Sequence, residues 1–491
     1  MSSGKKTVLA LAAIAAMLGC AALAAFVILV SDEPPPPDDS DLAFVRPEVP
    51  ADQNAWTYYA QAVEKLSLPQ GEDDSKWPPA PVAPATAVAK PAEEAVKAEP
   101  EDPPPDVVHR WFGIARNNAW EQPLVDAVLA RNAEALALWE KGVARPSCLL
   151  PEVTEPIQKL RWDYSPQGIG DLVSVRARNL ARQGNDEAAW QDAMRLVRFG
   201  YHLEAGKGLL NTYLTGASCK SAGCERMREL ASKGGMSSDR LRGSVTDLAR
   251  YQAEPQLLAD ALRAEYASWR ITFAKFASGE LAPSDVWQGD SLPTMYVERV
   301  VANLFKPNRT RRLIAETYRE GIAAAPNRWA DRPSFSKSRT TSWEEFTGGN
   351  YAGKLLCELC DFSMWRLYEM KCITNAEVAA TRVLLAMKAF KLDKGRLPAT
   401  LDELVPAYLD AVPLDDFDGK PFRYNPAKRI IYTVGEDLRD DGGTTKQEFL
   451  DAKMKEQGID PKTADPETLK SLKEECEVIW QMPDPSFPIE F

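Results

Sequence analysis

An uncharged, apolar run near the start of the chain, from Thr7 to Val30, most constrains what this sequence can fold into. A helix of that length spans the roughly 30 Å hydrocarbon core of a bilayer. Lys5 and Lys6 precede the run and acidic residues follow it, so the positive-inside rule keeps the N-terminus in the cytoplasm. We therefore predict a single-pass inner-membrane protein that contacts the membrane through residues 7–30 and exports everything after Ser31.

Two other interpretations of this run stay open. A cleavable signal peptide would end at Ala22-Leu23-Ala24, although the apolar run continues past the length of an ordinary signal-peptide core. A lipoprotein would be modified at Cys20, although polar linker normally follows such a cysteine. All three interpretations place the rest of the chain outside the cytoplasm.

The charge balance restricts the partners. Acidic residues number 71 and basic residues 59, which gives a net charge of −12. A protein of that sign is repelled by phosphate backbones and by anionic membrane surfaces, so we expect neither nucleic acid nor an anionic membrane surface as the main partner and look to envelope proteins instead. The net charge does not exclude a local basic patch. Arg309, Arg311 and Arg312 form a dense basic patch, which we interpret as the solvated start of a helix.

Composition divides the chain into an anchor, a helical body and a small C-terminal module. The predicted fold class is mainly α, an irregular helical array, with one small α+β module at the end. A hairpin of helices at 172–181 and 187–203, capped by Gly184, resembles a single tetratricopeptide unit but does not repeat. Further helices are expected at 240–278 (restarting at Pro255), 295–324 and 351–394. The predicted segments are a cytoplasmic start (1–6), the anchor (7–30), an acidic proline-rich stalk (31–54), a short helix (55–66), a disordered Pro/Ala-rich linker (67–106), the body (107–350) and the module (351–491).

The region Lys388–Gly443 carries an ordered series of local signals. Gly395 ends a long helix, and Thr400 to Glu403 reads as a capping box that begins a short one. A strand at 420–424, a turn at 425–428 and a returning strand at 429–434 then form a hairpin. The alternation of Ile430, Tyr432 and Val434 indicates one buried face on the second strand.

This series, with the runs DKGRLP, LDELVPAYL, FDGKPFRY, IIYTVGED and DDGG, resembles the headpiece of the G-type major pseudopilin of type II secretion systems. The resemblance covers roughly residues 376–443, with 477–480 as a closing strand and 444–475 as an insertion. It implies a calcium site in the loop after the second strand, and the matching positions are Asp437, Asp440 and Asp441. Closely spaced carboxylates on a glycine-rich loop suit Ca²⁺, and a solvated acidic turn without metal is the alternative. We expect no other cofactor.

Three departures argue against a filament-forming pseudopilin. Residues 1–30 contain no glutamate, the body separates the module from the membrane run, and Asp416 stands where the family usually has proline. We therefore expect the module to serve on a different scaffold.

The sequence offers little to support catalysis. The chain has two histidines, of which we interpret His202 as a packing residue and His109 as exposed. Neither accompanies a nucleophile-elbow pattern, and the sequence lacks a phosphate-binding glycine loop and an HExxH motif. Cys219 and Cys224 have the spacing of a small disulfide loop, whereas Cys357 and Cys360 suit a helix interior. The remaining exported cysteines are Cys148, Cys372 and Cys476. We interpret the tryptophans of the body as helix-packing residues, although they could instead line a binding groove. They are Trp111, Trp120, Trp139, Trp162, Trp190, Trp269 and Trp287.

These observations favour a non-enzymatic envelope protein for protein–protein interaction or envelope structure. One alternative is an accessory component of a type II secretion-like machine. The other is an exported hydrolase that acts on envelope polymers. The sequence does not identify the partner, the substrate or the oligomeric state.

Overall fold

The computed structural model describes residues 17, 19–20, 31–32, 34, 38–43, 46–69, 76–78, 106–116, 119–156, 165–252, 254–281, 305–332, 350–460, 464–476 and 479–491. The structure is mainly helical (62% helix) with a small three-stranded antiparallel sheet, as the sequence predicts. The predicted anchor, except for three isolated positions, and most of the predicted linker lie outside the described residues. Among the residues that are described, none of the helices is long and apolar enough to cross a membrane.

The helices agree closely with those predicted from the sequence. The predicted hairpin is present with Gly184 at a φ of 79°, and a new helix begins at Pro255. The helix predicted to start at 295 begins at Pro307, and residues 295–304 lie outside the described part. The helices are α1 (Ala55–Glu64), α2 (Val107–Ala115), α3 (Gln122–Arg131), α4 (Ala133–Val143), α5 (Ser165–Arg182), α6 (Asp186–Ala205), α7 (Leu210–Lys233), α8 (Ser238–Ala249), α9 (Pro255–Ser278), α10 (Pro307–Ala324), α11 (Tyr351–Lys394), α12 (Lys446–Glu456) and α13 (Pro466–Glu475).

Two hydrophobic cores share the helices α6 and α7. The first core lies among α1 to α5 and includes Trp111, Trp139 and Phe199. The second core lies among α6 to α11 and continues into the C-terminal module, where it includes Phe417 and Phe487. The body and the module are therefore packed on one continuous core, although the sequence suggested a boundary at residue 351.

Glycines allow α6 and α7 to pack backbone against backbone. A Cβ atom on Gly200 would lie 2.3 Å from the carbonyl oxygen of Gly216, and one on Gly216 would lie 2.5 Å from that of Gly200. Gly223 is similarly close to Ala193. No larger residue fits at these three positions without moving a helix, so α6 and α7 are in close backbone contact there.

The long helix α11 is the centre of the structure. It packs against α7, α8 and α10, and almost every residue from Met364 to Phe390 is buried. A helix that is buried all round belongs to a protein interior. It ends where the sequence predicts, at Gly395, whose φ of 73° gives the left-handed cap.

The sheet of the module differs in detail from the predicted one. Strands β1 (Arg423–Asn425), β2 (Ile430–Tyr432) and β3 (Ser486–Pro488) pair in that order, with β2 in the centre. The closing strand is therefore β3, whereas Ile479–Gln481 forms a 3-10 turn. Residues 430–434 are all buried, so β2 is covered on both faces and its alternation does not mark a solvent side.

The predicted capping box at Thr400 is wrong. Leu401–Leu404 is a single 3-10 turn, and the Thr400 side chain makes no cap bond. Pro406 disfavours helical backbone at the residue before it, which limits this helix to about one turn. A complete capping box instead joins Thr445 and Glu448 at the start of α12, inside the predicted insertion.

The segment predicted to be a free stalk binds the body through its acidic residues. We define the acidic segment as Asp32 together with residues 38–42. Asp39 is 5% exposed and accepts hydrogen bonds from Tyr266 (2.7 Å) and from the Arg311 guanidinium (2.6 and 3.0 Å). Asp41 pairs with Arg319 at 2.7 Å, and Leu42 is buried in the second core. Arg311 belongs to the basic patch that the sequence analysis interprets as a solvated helix start. It instead takes part in an intramolecular contact.

The start of the predicted linker also contacts the body. Trp77 is buried in the first core beneath the Arg131 guanidinium, 4.4 Å from its ring centre. Arg110 donates a hydrogen bond to the carbonyl of Pro78 at 3.0 Å. Residues 76–78 are thus anchored on the helical body.

Candidate functional site

The acidic loop that the pseudopilin resemblance singles out follows β2 directly, and we define it as residues 436–443. Gly435 has a φ of 62° and lies against Pro485, where an added Cβ would be 2.9 Å from the proline ring. Gly443 has a φ of 81°, and a Cβ there would be 2.6 Å from Ile430. The loop therefore needs glycine at both ends, for its backbone and for its close packing on the sheet.

The three predicted calcium ligands have separate roles in this loop. Asp437 accepts a hydrogen bond from the Arg439 amide at 3.0 Å, which closes a local turn. Asp440 accepts from Tyr432 (3.0 Å) and from Arg423 Nε (2.8 Å). The amide of Asp441 donates to Asp484, and the Asp441 residue is exposed.

These carboxylates do not converge on one point. Across the described ranges, no group of three His, Cys, Asp or Glu side chains is placed to hold a metal ion. The residues as they stand do not fit a calcium ion as a set, because Asp440 is already paired with a cation. The calcium site stays a prediction from the resemblance.

Arg423 supplies a positive charge that several carboxylates of the module share. Its guanidinium reaches three carboxylates, with distances of 3.2 Å to Asp415, 2.5 Å to Asp418 and 2.8 Å to Asp440. The Arg423 side chain is 11% exposed and that of Asp415 is fully buried. One guanidinium thus joins the turn before β1, β1 itself and the acidic loop. We call this set the arginine hub.

Burial and hydrogen bonding set the protonation of the hub. Burial raises the pKa of Asp415, which also accepts hydrogen bonds from the Phe417 amide (3.0 Å) and the Thr433 hydroxyl (2.7 Å). Burial opposes ionisation of Asp418 as well, but the hydrogen bonds from Arg423 and the Lys420 amide, together with the charges of both side chains, outweigh it and lower the pKa of Asp418. The hub therefore keeps a charged carboxylate on the guanidinium at neutral pH.

Sequence reasoning missed Asp484, which supports the loop from the other side. Asp484 is fully buried, and one carboxylate oxygen accepts the amides of Asp441 and Gly443, each at 2.8 Å. The other oxygen has no hydrogen-bond partner among the described residues. Burial raises the pKa of Asp484 despite the two amides. The sequence signal that distinguishes this aspartate is its position between Pro483 and Pro485.

Asp416, at the position where the pseudopilin resemblance leads us to expect proline, ties the module to the central helix. Its carboxylate accepts from Asn375 at 2.9 Å and lies 3.6 Å from the Lys371 ammonium group, both on α11. Its main-chain oxygen accepts the Trp329 amide at 3.1 Å. A proline at this position would lose the side-chain contacts, so the departure serves the attachment to the body.

The histidines have structural positions. His202 is buried, and its Nδ1 shares a hydrogen bond with the Tyr59 hydroxyl at 2.8 Å. Burial, helped by the charge of Arg198, lowers the pKa of His202 to about 3, so the ring is neutral in the folded protein. His109 is exposed beside Asp106 at the start of α2. The interpretation of His202 as a packing residue is confirmed.

The described cysteines are buried thiols, apart from Cys20. Cys219 and Cys224 are both free, so the disulfide that their spacing suggested is not formed. Both lie on α7, five residues apart, where the helix directs their side chains away from each other. Burial raises the pKa of Cys224 to about 11 and that of Cys148 to about 12. Such thiols are poor nucleophiles.

Most of the tryptophans fill the cores, as expected. Trp111, Trp139, Trp190 and Trp269 are buried. Trp120 lies at the surface of the first core, beneath the Arg182 guanidinium. Trp162 and Trp287 fall outside the described residues.

A buried ion pair lies at the close contact between α6 and α7. Lys220 Nζ is 2.7 Å from Glu204 Oε2, and neither side chain is more than 1% exposed. Lys220 also donates to the carbonyl of Tyr251 at 3.2 Å. The two charges are shielded from water and are each other's ion-pair partner, which is a structural arrangement in the interior of the body.

Comparisons with protein-family models, with curated proteins and with solved structures find no match to this chain. The likeness to the pseudopilin headpiece therefore depends on the residues and the order of elements described above.

Proposed function

We propose that this protein is a non-catalytic, single-pass envelope protein, and that its exported body and pseudopilin-like module form one rigid protein-binding unit. The observation that carries the proposal is the position of α11. This helix belongs to the module by sequence, yet it is enclosed by α7, α8 and α10 of the body. A helix enclosed in this way is not available for packing between subunits of a filament.

The groups with catalytic potential support the same proposal. The imidazole of His202 is held neutral in the first core, and the described exported thiols are buried. The arginine hub has its guanidinium shared among three carboxylates. The imidazole and the guanidinium thus have specific structural partners, which supports a structural role for both.

The resemblance supports the exported location of the module. Its elements follow the pseudopilin order of long helix, short turn of helix, hairpin, acidic loop and closing strand. Asp416 and Trp329 then fix these elements to the body, with Trp329 Nε1 donating to the carbonyl of Glu436 at 2.9 Å. The module is thereby presented at one end of a stable scaffold.

Cysteine labelling of the full-length protein in a bacterial host tests the location. In a Cys20→Ser background, Arg439→Cys places a thiol on the exposed acidic loop and Ser3→Cys places one before the anchor. A membrane-impermeant maleimide should label the first in intact spheroplasts and the second only after lysis. Labelling of Ser3→Cys before lysis, or release of the protein by an alkaline wash, would overturn the anchored topology.

Photo-crosslinking in the same cells tests the interaction. A photoreactive amino acid at Arg439 should give a discrete crosslinked species with another envelope protein. A matched probe at the exposed Gly243 of α8 serves as the control for random collisions. Equal, diffuse crosslinking from both positions would reject a specific protein-binding role for the module.

A further inference from the structure

The acidic segment brings the chain that leaves the anchor directly onto helix α10. Asp32 accepts the amides of Asn308 (2.7 Å) and Arg309 (3.2 Å), in the first turn of that helix. The helix lacks a side-chain cap of its own, because its N-cap residue is Lys306. A carboxylate at this position satisfies free amides and complements the positive end of the helix dipole.

Further contacts hold the rest of the acidic segment along α9 and α10. Burial opposes ionisation of Asp39, but the hydrogen bonds from Tyr266 and Arg311 outweigh it and lower the pKa of Asp39. Arg319 donates both to the Asp41 carboxylate and to the main-chain oxygen of Asp38. The segment therefore follows α10 from its first turn to its middle, with Leu42 inserted in the core.

The short distance from the anchor decides how the body lies relative to the membrane. Asp32 lies two positions after Val30, the last residue of the apolar run, and two extended residues span at most roughly 7 Å. A stalk that is bound at Asp32 and again at residues 38–42 cannot act as a flexible spacer. The N-terminal end of α10 must then lie close to the plane where the anchor leaves the bilayer.

We propose that the body lies directly on the membrane surface, with the N-terminal end of α10 against the lipid headgroups, because the acidic segment clamps it there. This inference rests on the proposed anchor and adds the orientation of the body. The acidic loop marks the opposite end. This loop contacts Trp329, which follows the C-terminus of α10. The 18 residues of α10 extend about 27 Å, so the loop lies about that far from the N-terminal end of the helix. The module therefore faces away from the membrane, where a partner can reach it.

Fluorescence quenching in a reconstituted membrane tests the orientation. Full-length protein with Cys20→Ser is placed in vesicles of equal parts phosphatidylethanolamine and phosphatidylglycerol, with a nitroxide on some of the headgroups. A fluorophore at Arg309→Cys should be quenched several-fold more strongly than one at Arg439→Cys. Equal and weak quenching at both positions would overturn the proposal.

A release variant identifies the clamp as the cause. Asp32→Ala with Asp39→Asn removes the carboxylate from the first turn of α10 and the charge that pairs with Arg311, and it should reduce the quenching at position 309 to the level at 439. The control variant, Asp239→Ala with Asp247→Asn, alters two exposed aspartates on α8 and should change nothing. Strong quenching at 309 that persists in a folded release variant would show that the clamp does not orient the body.

The same vesicles separate this inference from the anchor on which it depends. An alkaline carbonate wash should leave the protein in the vesicles, whether or not the clamp is present. Release of the unmodified protein by the wash would overturn the anchor and the orientation together. Retention of the protein with equal quenching would overturn the orientation alone.

Discussion

The arginine hub predicts a large and local loss of stability when its cation is removed. Arg423→Gln keeps a side chain of similar length but leaves the fully buried Asp415 without a counter-ion, and it leaves Asp418, at 10% exposure, with only the exposed Lys420 ammonium group at 3.5 Å. Removing one partner of a buried ion pair costs roughly 3–5 kcal/mol. We expect about 3 kcal/mol, the lower end, because Asp415 keeps its other hydrogen-bond donors and Asp440 is half-exposed.

Native-state hydrogen exchange measures this loss in the module alone. The amides of β1 and β2 report the free energy of local opening, which a global unfolding curve would average over the whole chain. A change of about 3 kcal/mol corresponds to roughly a hundredfold faster exchange. Arg439→Gln is the matched control, since it removes the same charge from an exposed position of the acidic loop. If the two variants exchange at the same rate, the guanidinium is solvated and the reasoning fails.

The pH dependence of the same experiment has a definite sign. The folded protein holds the pKa of Asp418 and of Asp440 below the ordinary value, so their stabilising effect is present above about pH 4 and is lost as the pH falls further. Arg423→Gln keeps only the part of that effect that comes from the other hydrogen-bond donors and from Lys420. The difference between the two proteins should therefore be largest at neutral pH and shrink in acid.

Calcium can be tested with the same two proteins. An ion bound by Asp437, Asp440 and Asp441 would slow exchange of the loop amides when Ca²⁺ is added, and Asp437→Ala would remove the effect. Because Asp440 is paired with Arg423 in the wild type, we expect any Ca²⁺ effect to be stronger in Arg423→Gln. Protection that is equal in both proteins would show that the ion and the guanidinium do not compete.

Three further predictions concern the helical body. Gly216→Ala should destabilise the protein by about 1–3 kcal/mol in urea denaturation, because the new Cβ would meet the backbone of α6. Gly243→Ala places a Cβ in open space on α8 and should instead stabilise the protein by about 0.5–1 kcal/mol. A loss of stability in Gly243→Ala would show that the cost at Gly216 does not come from close helix packing. Lys220→Met should lower the free energy of unfolding by about 3–5 kcal/mol, because Glu204 stays buried without a partner. Adding Glu204→Leu should recover most of that loss, which a double-mutant cycle would measure. His202 is held neutral, so the stability of the wild type should fall as the pH drops below about 6.5, and His202→Gln should reduce this slope.

The parts of the fold that the sequence predicts correctly have local steric causes. The end of α11 at Gly395 and the cap at Gly184 both need a left-handed backbone, which glycine adopts at little cost. The restart at Pro255 follows from the missing amide and fixed φ of proline. Such signals act within a few residues, so one sequence is enough to recognise them.

The failures have equally specific causes. The pattern Thr-x-x-Glu occurs at Thr400 and at Thr445, but only the second has room for a full helix before the next proline. The closing strand was placed at 477–480 because of its apolar residues, whereas Trp480 packs against Phe417 and donates to Glu377 at 3.1 Å. Strand β3 consists of only three residues, which is too short to show a period of its own.

Most of the candidate site could not be predicted from short sequence patterns. The resemblance drew attention to Asp437, Asp440 and Asp441, but the buried carboxylates that hold the loop are Asp415 and Asp484. Asp484 is 43 residues from the amide of Asp441 that it accepts. Which of many aspartates becomes buried depends on how the sheet closes, and residue spacing carries no information about that.

The acidic segment and the basic patch show how two separately reasonable interpretations can both be wrong. A run of like-charged side chains stays solvated only when no group of opposite charge can reach it. This chain contains acidic and basic runs, and because both belong to one molecule, each is present near the other at a high effective concentration. Asp39 and Arg311 are 272 residues apart in sequence, yet each is the other's closest counter-charge. Because Asp39 is buried, this pair is screened by salt less than an exposed pair would be. In the proposed arrangement, the pair lies near the predicted anchor and would orient the body toward the membrane, whereas an ion pair elsewhere on the body would add stability alone.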